Sequence, residues 1–79
     1  SLGANMDTVT YDQLPSGLRD KTIGELESHK VTGVTIIGFR EKDGEYQINP
    51  SESTTVGPGS KLFVLGSEQQ ITDFVKHFK

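Results

Sequence analysis

Cysteine is absent from the 79-residue chain, and acidic side chains outnumber basic ones. Without cysteine the chain has no disulfide framework, no thiolate zinc site and no cysteine nucleophile. Its 8 basic and 11 acidic side chains give a net charge of −3. The sequence has no basic stripe of the kind that neutralises phosphates. We therefore predict that the chain does not bind nucleic acid.

Long apolar runs are missing as well. No stretch approaches the roughly 20 apolar residues that a membrane-spanning helix requires, so we predict no direct membrane insertion. The first residues, from Ser1 to Asn5, lack the charged and apolar regions of a signal peptide. Together with the lack of cysteine, this favours a cytoplasmic location.

The length and composition are typical of one small globular domain. Hydrophobic residues make up 32% of the chain and there are 9 glycines, a balance that is slightly polar but sufficient for folding. A chain of this size buries only about 60–65% of the surface of its unfolded form, so its stability margin is narrow. We expect residues 1–6 to be a tail or an expression remnant and residues 7–79 to form a single domain.

Hydrophobic periodicity and turn signals predict four strands and two helices. Both helices are expected to begin with a capping box, formed by Thr22 with Glu25 and by Ser67 with Gln70. An Asp-Gly pair predicts a hairpin turn between the second and third strands. The predicted order is β-α-β-β-β-α, with strands at residues 7–12, 34–39, 45–49 and 61–65, and with Ile71, Phe74, Val75 and Phe78 forming the apolar stripe of the second helix.

This order indicates an α+β fold in which a mainly antiparallel sheet carries both helices on one face. Alternation along the central strand places Ile37 and Phe39 on the face opposite Ile36. Because one layer of helices covers only one face of the sheet, the other face is expected to expose Ile37 and Phe39. An apolar patch of this kind usually indicates association. We therefore predict a homodimer with Ile37 and Phe39 at its interface.

Arrangements typical of catalysis are not found in the sequence. His29 and His77 lie near the ends of the predicted helices, where the helix dipole favours a charged imidazole at the surface. The acidic residues around the predicted hairpin are typical of a solvated tip. The serines near Ser53 have no base in a recognisable relation to them. We predict no catalytic residue, no metal site and no enzymatic activity.

Two residues of the central strand are candidates for contact with a ligand. Gly38 permits the close approach of another backbone, a helix or a ligand. Arg40 ends the strand and is placed to face an anionic ligand. An ion pair with Glu41 or a neighbouring acid is the more frequent arrangement for a surface arginine. The sequence leaves both alternatives open.

Several short motifs follow one another along the chain: Leu26, Gly33-Val34-x-Ile36-Ile37-Gly38-Phe39-Arg40, Ile48-x-Pro50, Val56-x-x-Gly59, Leu62-x-Val64-x-Gly66 and an amphipathic C-terminal helix. In their order and spacing, these motifs resemble the TrkA C-terminal domain, also called the RCK C-terminal domain. The similarity extends from Thr8 to Phe78. The Gly-Asp pair that commonly precedes the last strand in this family is Gly59-Ser60 here.

The resemblance implies a cytoplasmic regulatory domain of a potassium channel or transporter, which dimerises and acts on the parent membrane protein through adjoining domains. Some members of the family bind a small regulatory ligand, cyclic di-AMP, at the dimer cleft. In those members the apolar residues of the central strand and the proline after the hairpin contribute to the pocket. These positions match Ile36, Ile37 and Pro50, and Arg40 is a candidate for a phosphate contact.

The mechanism that the resemblance implies is linkage, in which a ligand favours one arrangement of the paired domains by its differential affinity. One alternative from another class is a free-standing small-molecule sensor of ferredoxin-like type. Such domains usually follow the order β-α-β-β-α-β and end with a strand, whereas this sequence predicts a terminal helix.

Overall fold

The structure, a computed structural model, describes residues 3–28 and 33–76. Within these ranges the helices and strands follow the predicted order. Two 3-10 helices, Tyr11–Gln13 and Ser16–Leu18, precede the first α-helix. The strands and α-helices are β1 (Asn5–Thr10), α1 (Ile23–Ser28), β2 (Thr35–Arg40), β3 (Tyr46–Ile48), β4 (Lys61–Gly66) and α2 (Glu68–Lys76).

The strands of the described residues form one four-stranded sheet in the order β1-β4-β2-β3, and each neighbouring pair is antiparallel. Helix α2 packs against β4 and α1 packs against β2. One face of the sheet and the two helices enclose a single apolar core. The predicted α+β fold is confirmed, and the terminal helix does not match the ferredoxin-like alternative.

Both predicted capping boxes are present at the helix starts. The Glu25 N–H donates to Thr22 Oγ1 at 3.2 Å, and the Thr22 N–H donates to Glu25 Oε1 at 3.1 Å. At the start of α2 the Gln70 N–H donates to Ser67 Oγ at 3.1 Å, and the Ser67 N–H donates to Gln70 Oε1 at 2.8 Å. Each box therefore satisfies helix N–H groups that have no partner within the helix itself.

The core takes side chains from the sheet, both helices and the connections. The apolar stripe of α2 is confirmed by the burial of Ile71 and Phe74, with Val75 packed against the core. Phe78 lies outside the described residues, as do His29 and His77. Among the described residues, the buried apolar side chains are Val9, Leu14, Leu18, Ile23, Leu26, Val34, Ile36, Phe39, Val56, Leu62, Val64, Ile71 and Phe74.

A β-bulge in β2 changes which face Phe39 occupies. Ile36 lies opposite Val64 on β4, but the next paired residue of β2 is Gly38, so Ile37 is the extra residue. The bulge shifts the alternation by one position and places Phe39 on the same face as Ile36. Phe39 is 0% exposed and belongs to the core. The prediction that Phe39 lies on the uncovered face is therefore wrong.

The segment between β1 and α1 contributes more to the core than its sequence indicates. Its Pro-Ser-Gly motif predicts only a break in the backbone, yet Leu14 and Leu18 are each 1% exposed. The Arg19 side chain holds the segment by donating from Nε to the Tyr11 carbonyl at 3.2 Å and from a terminal nitrogen to the Asp12 carbonyl at 2.8 Å. The segment closes one end of the core.

Strand β1 begins two residues earlier than predicted. Asn5 and Met6 pair with Gly66 and Leu65 of β4, so these two residues belong to the sheet rather than to a tail. The hairpin between β2 and β3 turns at the predicted Asp-Gly pair, with Asp43 at φ 59.

The long connection from β3 to β4 is held against the start of α1. Thr54 and Glu52 carbonyls accept hydrogen bonds from the N–H groups of Ile23 and Gly24 at 2.8 and 2.9 Å. Val56 is 0% exposed, as expected for the anchor of this connection. These contacts fix the path of the chain that leads into β4.

Candidate functional site

The antiparallel register shows which side chains share the sheet face opposite the helices. Residues that lie directly opposite one another in neighbouring strands point to the same face. We call this surface the open face. Its members form three rows across the sheet: Met6, Leu65 and Thr35; Thr8, Phe63, Gly38 and Ile48; and Thr10, Lys61, Arg40 and Tyr46.

Large apolar side chains are exposed on the open face. Ile48 is 83% exposed, Met6 68%, Tyr46 56% and Leu65 39%, and Phe63 is half-buried between them. Scattered exposed apolar residues are ordinary on protein surfaces, but a contiguous group on one sheet face indicates a surface that associates. The open face therefore has the character of an interface.

Gly38 allows the aromatic residues of the open face to pack across β2. A Cβ atom at position 38 would lie 3.1 Å from Phe63 Cδ2 and 3.2 Å from Phe63 Cβ. The Phe63 ring makes an edge-to-face contact with the Tyr46 ring at 5.0 Å between centroids. The space at Gly38, which the sequence leaves to another backbone, a helix or a ligand, is instead taken by the Phe63 side chain of the neighbouring strand. Phe63 therefore lies at the centre of the open face.

Arg40 is held at the hairpin end of the open face. Its Nε donates to the Gly44 carbonyl at 3.0 Å, and its guanidinium lies 5.2 Å from the centre of the Tyr46 ring. Stacking on an aromatic ring and a hydrogen bond to the backbone both orient the guanidinium. With Lys61 opposite it on β4, Arg40 makes this end of an otherwise uncharged face positive.

Two of the predicted ligand-binding residues, Ile37 and Pro50, lie at the end of the hairpin away from its turn. Ile37, the bulged residue, is half-buried, and its carbonyl accepts a hydrogen bond from the Asn49 N–H at 3.0 Å. Pro50 follows Asn49 directly and is also half-buried. This hydrogen bond ties Ile37 on β2 to Asn49, the residue that directly precedes Pro50.

Ile36 does not join this group. Its side chain is 4% exposed and lies in the core, while its N–H donates to Glu27 Oε2 at 3.0 Å. Because its side chain is buried in the core, Ile36 does not present it on the open face. Arg40 is three residues from Ile37 along β2, a separation of roughly 10 Å.

Met6 and Leu65 extend the open face beyond the residues that the sequence singles out. Met6 falls in the predicted tail, although its alternation with Thr8 and Thr10 is a signal that places it on this surface. The last strand has apolar residues on both faces, and this pattern indicates that Leu65 lies on the face opposite the core. Membership of the open face depends on the register of β1 with β4, which a single sequence does not encode locally.

The described residues form a small α+β domain with exposed apolar side chains on one face of its sheet. The sequence matches the TrkA-C domain family over residues 13–79, and the chain belongs to that family. No protein with a curated description matches the chain. Within the part of the chain that the structure describes, no helix is both long and apolar enough to cross a membrane.

Solved structures with the same fold include regulators of potassium conductance. The RCK domain of GsuK aligns with a TM-score of 0.72 at 26% identity, over 92% of this chain and 16% of that one. The GsuK channel has also been solved bound to NAD, and there the match covers 13% of that chain. This chain therefore spans only a small part of the GsuK proteins that it matches.

Two further structures show the fold at lower identity. The RCK C domain of the potassium transport protein KtrA, in complex with cyclic di-AMP, aligns with a TM-score of 0.76 at 17% identity, over 95% of this chain and 84% of that one. The RCK_C dimer of Streptococcus agalactiae BusR, also in complex with cyclic di-AMP, aligns with a TM-score of 0.69 at 22% identity. The alignment covers 85% of this chain and 86% of that one.

Proposed function

We propose that this chain is a regulatory domain of a potassium channel or transporter, that it acts in the cytoplasm, and that it works as a homodimer paired through the open face. The observation that carries the proposal is an apolar sheet face left uncovered in a domain of the TrkA-C family. The KtrA, BusR and GsuK structures support a role in ligand-controlled regulation.

Pairing through the open face is favoured by the side chains that it exposes. Covering Met6, Tyr46, Ile48 and Leu65 removes apolar surface from water, which is the main driving force in most protein association. Met6, Ile48 and Leu65 lie in the two rows that contain no charged side chain, so covering them desolvates no charge of their own rows. Tyr46 shares the third row with Arg40 and Lys61, which form the positive end of the face. Ile37 lies at the edge of this interface, and Phe39 contributes only by supporting the sheet from the core.

A nucleotide-like ligand such as cyclic di-AMP suits the hairpin edge of the open face. The apolar surface at Ile37 and Pro50 is suited to the flat face of a base. Arg40, roughly 10 Å away along β2, offers a guanidinium fork for a phosphate. The side chain of Ile36 takes no part, since it lies in the core. The ligand would therefore span the hairpin from its apolar end to its positive end.

Regulation by such a ligand requires no chemistry on the ligand. A ligand held between two copies favours the arrangement of the pair that it binds more tightly, by no more than the difference in its affinities. Domains adjoining this one in the parent protein would convert that preference into a change of ion conduction. The proposal therefore concerns binding and assembly, and it assigns no catalytic residue.

Calorimetric titration of cyclic di-AMP into the purified domain tests the ligand part of the proposal. We expect saturable binding to the wild-type domain, and Arg40→Gln should weaken it roughly tenfold because a charge-assisted hydrogen bond to phosphate is lost. Lys21→Gln is the matched control, because it removes one positive charge at an exposed position that is not part of the open face.

Two outcomes of this titration would count against the proposal. Equal effects of Arg40→Gln and Lys21→Gln would show that only the net charge matters and that Arg40 does not contact the ligand. No heat of binding at millimolar cyclic di-AMP would remove this ligand and leave a domain that serves assembly only.

A further inference from the structure

A concave surface, separate from the open face, lies at the end of the sheet where β2 ends and β4 begins. It is a groove of about 340 Å³ whose walls include Glu41 and Lys42 after β2, Thr55 of the long connection, and the turn formed by Gly57, Pro58 and Ser60. None of these residues belongs to the open face. The groove is therefore separate from the surface proposed for pairing and for a nucleotide-like ligand.

Ser60 supplies a polar group in the wall of this groove that the protein itself does not satisfy. The residue is 4% exposed, and its hydroxyl has no hydrogen-bond partner among the described residues. Its backbone groups are engaged, since the N–H donates to the Gly57 carbonyl and the carbonyl accepts from the Tyr11 N–H. A buried hydroxyl without a partner is uncommon in folded proteins, and a polar ligand in the groove would give it one.

Lys42 and Glu41 bring opposite charges to the same groove. The position of a Cβ at Gly59 lies 2.7 Å from Lys42 Cβ and 2.9 Å from Lys42 Cγ, so the methylene stem of Lys42 packs along the glycine turn. Gly59 is at φ 81, a conformation that glycine adopts without strain. The turn thereby holds the lysine stem against the groove, with the Glu41 carboxylate beside it in sequence.

We propose that this groove binds a small zwitterionic metabolite of the α-amino acid class. The ligand carboxylate would pair with the Lys42 ammonium and accept a hydrogen bond from the Ser60 hydroxyl, and its ammonium group would face Glu41. Pro58 offers apolar contact to an aliphatic side chain. A ligand carrying one charge only would leave either Glu41 or Lys42 without a partner, which is why a zwitterion fits better than a simple anion or cation.

Titration followed by ¹H–¹⁵N NMR tests this site on the whole domain. L-Leucine is the probe, and 4-methylpentanoate and 3-methylbutylamine are the same molecule without its ammonium or without its carboxylate. We expect saturable shifts at the amides of residues 41–42, 55–57 and 59–60 with L-leucine. Each analogue should bind about tenfold or more weakly, because it loses one charge-assisted contact.

Three variants locate the binding. Ser60→Ala should weaken L-leucine binding about fivefold, the value of one hydrogen bond, and Ser53→Ala, in the same connection but outside the groove, should leave it unchanged. Gly57→Leu should abolish binding by filling the groove. Its backbone is compatible with a side chain, and a Cβ there lies in open space, with no atom of the described residues within 4 Å.

Specific results would overturn the proposal. Shifts confined to residues outside the groove, or no shifts at millimolar L-leucine, would show that the groove is empty or holds only water. Equal binding of L-leucine and 4-methylpentanoate would show a carboxylate site rather than a zwitterion site. Unchanged binding by folded Gly57→Leu would place the ligand elsewhere.

Discussion

Gly38 is the residue on which the arrangement of the open face depends most directly. Glycine inside a strand weakens it unless a neighbour uses the space, and here Phe63 uses it. A Cβ at this position would lie 3.1 and 3.2 Å from two Phe63 carbons, which leaves no room for a methyl group without a shift of the ring. The glycine therefore determines where Phe63 and, through it, Tyr46 lie.

Replacing Gly38 with alanine should destabilise the domain. The added methyl group must push Phe63 aside, and overpacking of this kind costs about 1–3 kcal/mol. Gly57→Ala is the matched control, because its Cβ would lie in open space and its effect should be neutral or slightly stabilising. Urea denaturation measures both free energies of unfolding, and equal values for the two variants would contradict the account of Gly38.

Tyr11 makes the stability of the folded state depend on pH in the alkaline range. Its hydroxyl donates to Asp20 Oδ2 at 2.9 Å, and this hydrogen bond, with desolvation and the negative charge of Asp20, raises the pKa of Tyr11. The folded state therefore holds the phenol proton more tightly than the unfolded chain. The resulting stability is complete below the unfolded pKa of about 10 and is lost as the pH rises through the folded pKa.

The titration of Tyr11 can be followed by tyrosinate absorbance. The chain has 2 tyrosines, so Tyr46→Phe leaves Tyr11 as the reporter. Adding Asp20→Asn should lower the Tyr11 midpoint, since asparagine keeps the preference for the φ of 64 at this position but removes the charge. An unchanged midpoint would show that Asp20 does not hold the proton.

At the scale of elements, the capping boxes are the features that the sequence predicts best. They depend on residues three positions apart, and so they are local. Ser67→Ala removes the hydroxyl that accepts from the Gln70 N–H and should reduce the free energy of unfolding by about 0.5–2 kcal/mol. Exposed Ser53→Ala should change it by less than about 0.5 kcal/mol. A similar loss in both variants, measured by thermal unfolding, would contradict a specific role for the cap.

The bulge in β2 shows where prediction from the sequence stops. Alternation identifies the strand, but nothing local in Ile36, Ile37 and Gly38 indicates which residue is extra, because the bulge is fixed by the pairing of β2 with β4. One inserted residue moves Phe39 from the expected interface into the core. The burial of Leu14 and Leu18 escapes prediction for a similar reason, since short 3-10 turns carry no periodic signal.

At the scale of the whole molecule, the open face and the groove lie on different parts of the same fold. The sequence predicts that one face of the sheet is uncovered, because two helices cannot cover both sides. Which residues lie on that face depends on the register between the strands. The groove at the start of β4 is not predictable, since Ser60 and Lys42 are brought together only by the hairpin and the long connection. Membership of the TrkA-C family supports the regulatory proposal.

The central claim is that two copies pair through the open face, and sedimentation equilibrium tests it most directly. Wild-type protein should sediment as a particle of twice the 8.6 kDa chain mass. Ile48→Asp, which places a charge at the most exposed apolar position of that face, should return it to a single chain, whereas Ser53→Asp should not. A single-chain mass for the wild-type protein at high concentration, or an Ile48→Asp variant that remains paired, would contradict the claim.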